Sequence, residues 1–157
     1  MLKNKVGFTL VELLAVVLII GVLTSVALPK YRRTIERAAS TEALVNLRSL
    51  FESGKRFKAA TSTPPTRLKG LDISFFDASS EETNPFTMGK YEYTFETNDI
   101  KACRVNGNYC FYMYYNHPTQ GKDALTCKIT ATEGKYDWLC EALGDESLGN
   151  NEYLIKG

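Results

Sequence analysis

The sequence predicts an α+β chain. One long N-terminal helix, apolar in its first half and amphipathic in its second, packs on a small antiparallel β-sheet of three to four strands. Three observations predict it. Residues 8–28 form an apolar run with one ionisable group, residues 30–60 continue at helical period, and the last part of the chain alternates at period two between turn residues. The 157 residues suit one folded domain with an appended element. With 19 Lys+Arg against 18 Asp+Glu, the formal charge of +1 excludes a strongly basic nucleic-acid binder or an acidic tail as the organising theme. The 44% hydrophobic and 24% charged fractions exclude wholesale disorder.

Met1 to Gly7 reads MLKNKVG, with Lys3 and Lys5 as its only charges. Phe8 to Leu28 then reads FTLVELLAVVLIIGVLTSVAL. As a helix this run is about 31 Å long at ~1.5 Å per residue, one hydrocarbon thickness, so it is expected to span a membrane. A secretory signal peptide has a shorter apolar core followed by a small-residue cleavage site. Here Leu28-Pro29-Lys30 makes a poor site of that kind, and the small residue before a change of character is Gly7, ahead of the core. Glu12 needs a reason of its own. A carboxylate at the centre of a span costs roughly 2.5–3.5 kcal/mol on insertion scales, and less near an end. The bland reading is a snorkelling carboxylate; the sharper one is that a positive group meets it.

Gly7-Phe8-Thr9-Leu10-Val11-Glu12, followed by a long apolar run, resembles the processing signal of type IV pilins and the related type II secretion pseudopilins. The resemblance covers roughly Lys3 to Tyr31. It implies a pilin fold and cleavage by a membrane-bound prepilin peptidase between Gly7 and Phe8. It also implies N-methylation of the new Phe8 terminus, and assembly through Glu12, with Thr9 beside it, meeting the terminal amine of a neighbouring subunit. Gly21 and Pro29 match the helix-weakening residues that this family keeps within and just after the span. The short basic leader and Phe8 favour the type IVa subgroup. The implied organisation is a leader at 1–7, a membrane and polymerisation helix at 8–29, an amphipathic stalk at 30–60 and a globular region at 61–157. The implied partners are further copies in a helical filament, the membrane, the peptidase, the pilus assembly machinery with its ATP-driven motors, and minor pilins. The precursor would sit in the bacterial inner membrane before reaching an extracellular pilus or periplasmic pseudopilus.

Elementary electrostatics agrees with these roles. An amine and a carboxylate in low dielectric each lose hydration, so either alone is expensive and the pair much less so. One feature opposes the implied orientation. Lys30, Arg32, Arg33 and Arg37 follow the span and outnumber Lys3 and Lys5 before it, so charge counting alone would place the C-terminal side inside. Placing that side outside the cytoplasm rests on the resemblance and on the four cysteines.

Counted at ~100° per residue from Ile35, Ala39, Ala43, Leu44, Leu47, Leu50, Phe51, Gly54 and Phe57 fall in one half of the helical wheel. Arg37, Glu42, Arg48, Glu52, Lys55 and Arg56 fall in the other, with Glu36 and Lys58 as exceptions. Glu52 and Arg56, four apart with the acid first, are placed to pair. The apolar stripe is read as core rather than a partner groove. Residues 8–60 would make one helix of ~80 Å. Gly21 and Pro29 bracket its weakest stretch, since a helix interior loses about 1 kcal/mol at glycine and about 3 at proline.

Thr61-Ser62-Thr63-Pro64-Pro65 ends the helix. Residues 66–89 read as a loop with room for a short helix. Lys90–Thr97, Tyr109–Tyr115 and Leu125–Ala131 read as strands, and Tyr136–Cys140 as a fourth. The aromatic run YCFYMYY almost lacks basic residues, so it reads as sheet packing rather than a base-stacking platform. Cys103, Cys110, Cys127 and Cys140 include no C-x-x-C spacing, and His117 is the sole histidine, so disulfides are expected over a metal. Of three pairings, Cys103–Cys110 and Cys127–Cys140 each close a short turn between neighbouring segments. Cys127–Cys140 resembles the C-terminal disulfide loop common in the family; Cys103–Cys110 departs from it. Related pseudopilins often bind calcium near the C-terminus. Asp145, Glu146, Asn150, Asn151 and Glu152 offer oxygens there but match no calcium-loop spacing.

No phosphate-binding loop, G-x-S-x-G or H-E-x-x-H motif occurs. Paired carboxylates such as Glu81-Glu82 lie in polar stretches. The chain is expected to be a structural subunit, not an enzyme, with no cofactor. A minor pilin or pseudopilin is the alternative within the family. A DNA- or ligand-binding filament-tip protein is the alternative of another class, although nothing in the charge pattern indicates DNA. A monomeric signal-anchored protein is a third reading, distinguished by an uncut N-terminus.

Overall fold

The computed structural model describes residues 7–73, 83–130 and 136–156. Contacts divide the chain into one unit up to Ala38 and a second from Ala39 to Gly157. A single helix, α1, runs Leu10–Thr61 without interruption, carrying Gly21 and Pro29 inside it. In the first unit every residue from 7 to 35 is exposed. Thr24 and Ser25 turn their hydroxyls back onto the carbonyls of Ile20 and Val22, both at 2.7 Å, which satisfies them where no water or neighbour is needed.

In the second unit the expected stripe is the core face. Ala43, Leu47, Leu50 and Phe51 are fully buried against Tyr91, Tyr93, Phe95, Ile100, Phe111 and Leu125 of the sheet. Burying one such side chain contributes about 1.5–3 kcal/mol, so this face fastens the helix. The outlying Lys58 is explained by its ammonium lying 5.0 Å over the Tyr115 ring. The expected Glu52–Arg56 pair gives way to tertiary partners. The Arg56 guanidinium takes Asp72 in a fork, Nε to Oδ2 at 2.6 Å and Nη2 to Oδ1 at 2.8 Å, while Glu52 lies 3.7 Å from Lys55. That fork, with the Ser53 hydroxyl, holds the Asp72 carboxyl well below the usual carboxylate range. It also ties the segment after the helix back onto it.

The sheet is larger than the three or four strands expected. Among the described residues, β1 Phe86–Met88, β2 Tyr91–Phe95, β3 Asp99–Arg104, β4 Tyr109–Tyr114, β5 Ala124–Ile129, β6 Glu146–Gly149 and β7 Glu152–Leu154 form seven antiparallel strands. They lie in the order β1-β2-β3-β4-β5-β7-β6. β1 falls in the stretch read as a loop, whose residues 74–82, with Glu81-Glu82, lie outside the described residues. The strand expected to end at Ala131 ends at Ile129, and residue 131 is also outside them. Tyr136–Cys140 is not a strand. Its residues enter α2, Asp137–Leu143, because Glu141, Ala142 and Leu143 extend them as good helix formers until Gly144 stops the turn. Gly144 has no room for a side chain, since a Cβ there would lie 2.5 Å from that of Tyr153.

Register puts Tyr91, Tyr93 and Phe95 on the helix-facing side with Ile100, Ala102 and Phe111. Cys103 stands directly opposite Cys110 on the other face, and the two are disulfide-bonded with their Cα atoms 4.1 Å apart. Cys127 of β5 is bonded to Cys140 of α2, which fixes that helix to the sheet. In the chain-entropy account such short loops contribute about 2.5–3 kcal/mol each.

Gly54 marks the closest approach of helix and sheet. A Cβ there would overlap the Tyr115 hydroxyl and sit 3.2 Å from Pro65 Cγ. Tyr115 cannot swing away freely, for its ring stacks on Phe51 at 4.6 Å. Gly54→Ala gains about 1 kcal/mol of helix propensity but overpacks this site, and a net loss of about 1–2 kcal/mol is expected in urea unfolding. The Tyr115 hydroxyl is buried without a hydrogen-bond partner among the described residues. Tyr115→Phe is therefore expected to be neutral or stabilising alone, and to recover most of the loss when combined with Gly54→Ala.

Candidate functional site

The N-terminal end of α1 is organised by two side chains. Thr9 occupies the N-cap and Glu12 the third helical position, and they bond reciprocally. The Thr9 N–H donates to Glu12 Oε2 at 2.7 Å, the Thr9 hydroxyl donates to the same oxygen at 2.8 Å, and the Glu12 N–H reaches Thr9 Oγ1 at 3.3 Å. This is a capping box. The S/T-x-x-E signal was present in Thr9-Leu10-Val11-Glu12, and reading Glu12 only as an assembly carboxylate missed its part in starting the helix. The positive end of the helix dipole favours its charge there as well. Oε2 takes both Thr9 donors. Oε1 makes no hydrogen bond among the described residues.

Gly7 and Phe8 precede the helix in irregular backbone. Phe8 is 87% exposed, and a Cβ on Gly7 would meet nothing within 4 Å. Among the described residues nothing packs closely enough on this position to require glycine. Gly21 likewise meets nothing within 4 Å. Pro29 denies the Ser25 carbonyl its helical donor, yet α1 stays helical through both residues. Met1 to Val6, with Lys3 and Lys5, lie outside the described residues.

The candidate calcium ligands are not brought together. Asp145 Oδ2 accepts the Lys156 N–H at 2.7 Å, Glu146 lies 3.3 Å from the Lys156 ammonium, and Asn150 and Asn151 take left-handed backbone in the β6–β7 turn. Glu152 turns instead to the outer face of the sheet. Its Oε1 accepts from Thr126 at 2.7 Å and lies 3.6 Å from Nε2 of the buried His117. His117 Nδ1 accepts the N–H groups of Thr119 and Gln120, pinning the β4–β5 connection. No group of three or more ligating side chains suited to a metal occurs among the described residues. In the aromatic run, Tyr109 and Phe111 are buried in the core, while Tyr112 and Tyr114 stack at 5.8 Å on the opposite face.

The segment matching the family model for the prokaryotic N-terminal methylation motif is residues 2–28, which holds the Gly7–Phe8 junction, the capping box and most of the apolar run. Over a longer stretch the chain is 54% identical across 142 residues to a fimbrial protein of Moraxella nonliquefaciens, covering 83% of this chain and 92% of that one. It is 48% identical across 148 residues to the fimbrial protein EcpC of Eikenella corrodens, covering 92% and 88%. The chain belongs to the type IV pilin family. A shorter match, 43% over 55 residues, joins this pilin to the type IV major pilin protein PilA of Myxococcus xanthus, covering 35% of this chain but only 24% of that one. No solved structure matches it.

On the pilin's outer sheet face Asp99 is 8% exposed, and its Oδ2 has no hydrogen-bond partner among the described residues. Burial pushes its carboxyl up to about 6, with Glu96 adding repulsion and Lys101 offsetting part of it. The folded chain therefore holds a proton that an unfolded Asp, with its ordinary value of 3.8, has already released. The native state binds more protons between about pH 4 and pH 6, so stability falls as pH rises through that window and is level above it. The expected drop is about 3 kcal/mol. Asp99→Asn should flatten it, as read from urea midpoints at about pH 4 and pH 7.

Proposed function

We propose that the chain is the structural subunit of a type IV pilus. It is made as a membrane precursor, cut between Gly7 and Phe8 by prepilin peptidase, methylated on the Phe8 amine, and polymerised through α1 into an extracellular filament by the pilus assembly machinery. The observation that carries this reading is the combination at the head of α1. Residues 8–28 are exposed throughout, and within them the Glu12 carboxylate has one oxygen without a donor among the described residues.

Cutting after Gly7 removes two lysines and creates an amine one residue before Thr9. That amine on a neighbouring copy is the donor Glu12 Oε1 lacks. Within one chain the two donors on Oε2 keep the carboxylate ordered and ready. In lipid, a subunit with its amine and its acid unpaired stands at higher free energy than one whose acid meets an amine in a filament. Contacts of this head-to-tail kind do not close on themselves, which suits an open helical polymer. Gly21 and Pro29 place the least stable turns of α1 roughly 14 Å and 26 Å further along the helix from Glu12, where packing in a polymer can unwind them.

The test separates insertion from assembly. Glu12→Leu is expected to reach the membrane at the parent level, since it removes a charge from the span, and to give surface filaments reduced by at least about tenfold, as counted in sheared preparations. Thr9→Val leaves the acid but removes its hydroxyl donor, and a milder loss is expected. Normal piliation by Glu12→Leu overturns the proposal.

A further inference from the structure

Beyond its apolar run, α1 turns cationic. Lys30, Arg32, Arg33 and Arg37 follow Leu28 with the single acid Glu36 among them, and all four cations are exposed. At ~100° per residue, Lys30, Arg33 and Arg37 fall within about 60° of one another and so share one face of the helix. Tyr31, 64% exposed, follows Lys30 just past the apolar run, where an aromatic ring suits a membrane–water boundary. When residues 8–28 fill the hydrocarbon, the rise of ~1.5 Å per residue sets Lys30 and Arg33 roughly 3–8 Å past its edge. That depth lies in or just at the limit of a headgroup layer about 5–7 Å thick. Arg37, one turn further, reaches back along its own stem.

We propose that Lys30, Arg33 and Arg37 form a collar that binds the phosphates of anionic phospholipids in the leaflet where the C-terminal end of the span emerges. The span fixes their depth, so these cations meet lipid phosphate without further ordering of the backbone. The two guanidinium groups match phosphate in a bidentate fork, and the Lys30 ammonium adds a point charge. This gives physical sense to a charge pattern that otherwise opposes translocation. Bound lipid neutralises the excess on that side and holds the subunit at a fixed depth until it is withdrawn. The inference rests on the membrane-spanning part of the proposed function and not on polymerisation.

The test uses the full chain with Lys3→Gln and Lys5→Gln, which removes both lysines of the leader. It is reconstituted in phosphatidylcholine vesicles holding trace spin-labelled phosphatidylglycerol or spin-labelled phosphatidylcholine. The motionally restricted fraction of each label measures its relative association. Phosphatidylglycerol is expected to associate at least about fivefold more strongly, the factor one cation contributes near an anionic surface. The preference should fall towards unity in about 1 M salt. It should also vanish in Lys30→Gln/Arg32→Gln/Arg33→Gln/Arg37→Gln, whose helical circular dichroism is expected to match the parent, and persist in Arg32→Gln alone. Equal association of the two lipids, a preference that survives the fourfold substitution, or one lost with Arg32→Gln alone overturns the collar. Failure to restrict either label would instead overturn the membrane span, so the two readings fail separately.

Discussion

An uncovered apolar surface is the constraint on which the rest of this chain depends. Large side chains such as Leu10, Val11, Leu18, Ile19 and Leu23 stand more than half exposed. Burying each contributes about 1.5–3 kcal/mol, so the run as a whole represents tens of kcal/mol, well above the 5–15 kcal/mol that stabilises an ordinary domain. Lipid or further copies of the same helix must therefore surround it. Glu12 is tolerable there only because it sits at the first turn, where Thr9 supplies two donors and the helix dipole favours its charge.

The second unit carries its own stability and asks nothing of that surface. The stripe from Ala43 to Phe51 closes over a seven-stranded sheet, two disulfides fasten β3 to β4 and β5 to α2, and Arg56 with Asp72 returns the chain after α1 to the helix. The costs this unit bears are local: a buried carboxyl at Asp99, a hydroxyl without a partner at Tyr115, and a glycine at residue 54 to let the helix come close.

The α+β class, the extent of α1 and the buried face of β2 were legible because each repeats one physical signal over several turns or pleats. Tyr91, Tyr93 and Phe95 announce a half-buried strand on their own. What escaped notice lacked such repetition. β3 turns inward through Ile100, the small Ala102 and an Arg104 whose guanidinium lies between the rings of Tyr91 and Tyr136. A small residue and a charge on an inward face do not read as a strand. β6 and β7 are four and three residues long, and their pairing is set by the left-handed Gly149-Asn150-Asn151 turn more than by hydrophobic pattern. Tyr136–Cys140 was misread because five residues hold too few turns to separate a buried helix from a strand. At the head of α1 the residues themselves were legible. Their mutual bonding was hidden, because a capping box is one match within four residues and a carboxylate inside an apolar run points first to an outside partner.

The central claim is that this chain leaves the membrane only as part of a polymer that begins at residue 8. Intact-mass and N-terminal fragment spectra of filaments sheared from cells test it most directly. The account predicts a subunit lacking MLKNKVG, starting at a monomethylated Phe8, with all four cysteines oxidised. A mature chain that still starts at Met1, or that occurs only as single copies and never in sheared filaments, would contradict it.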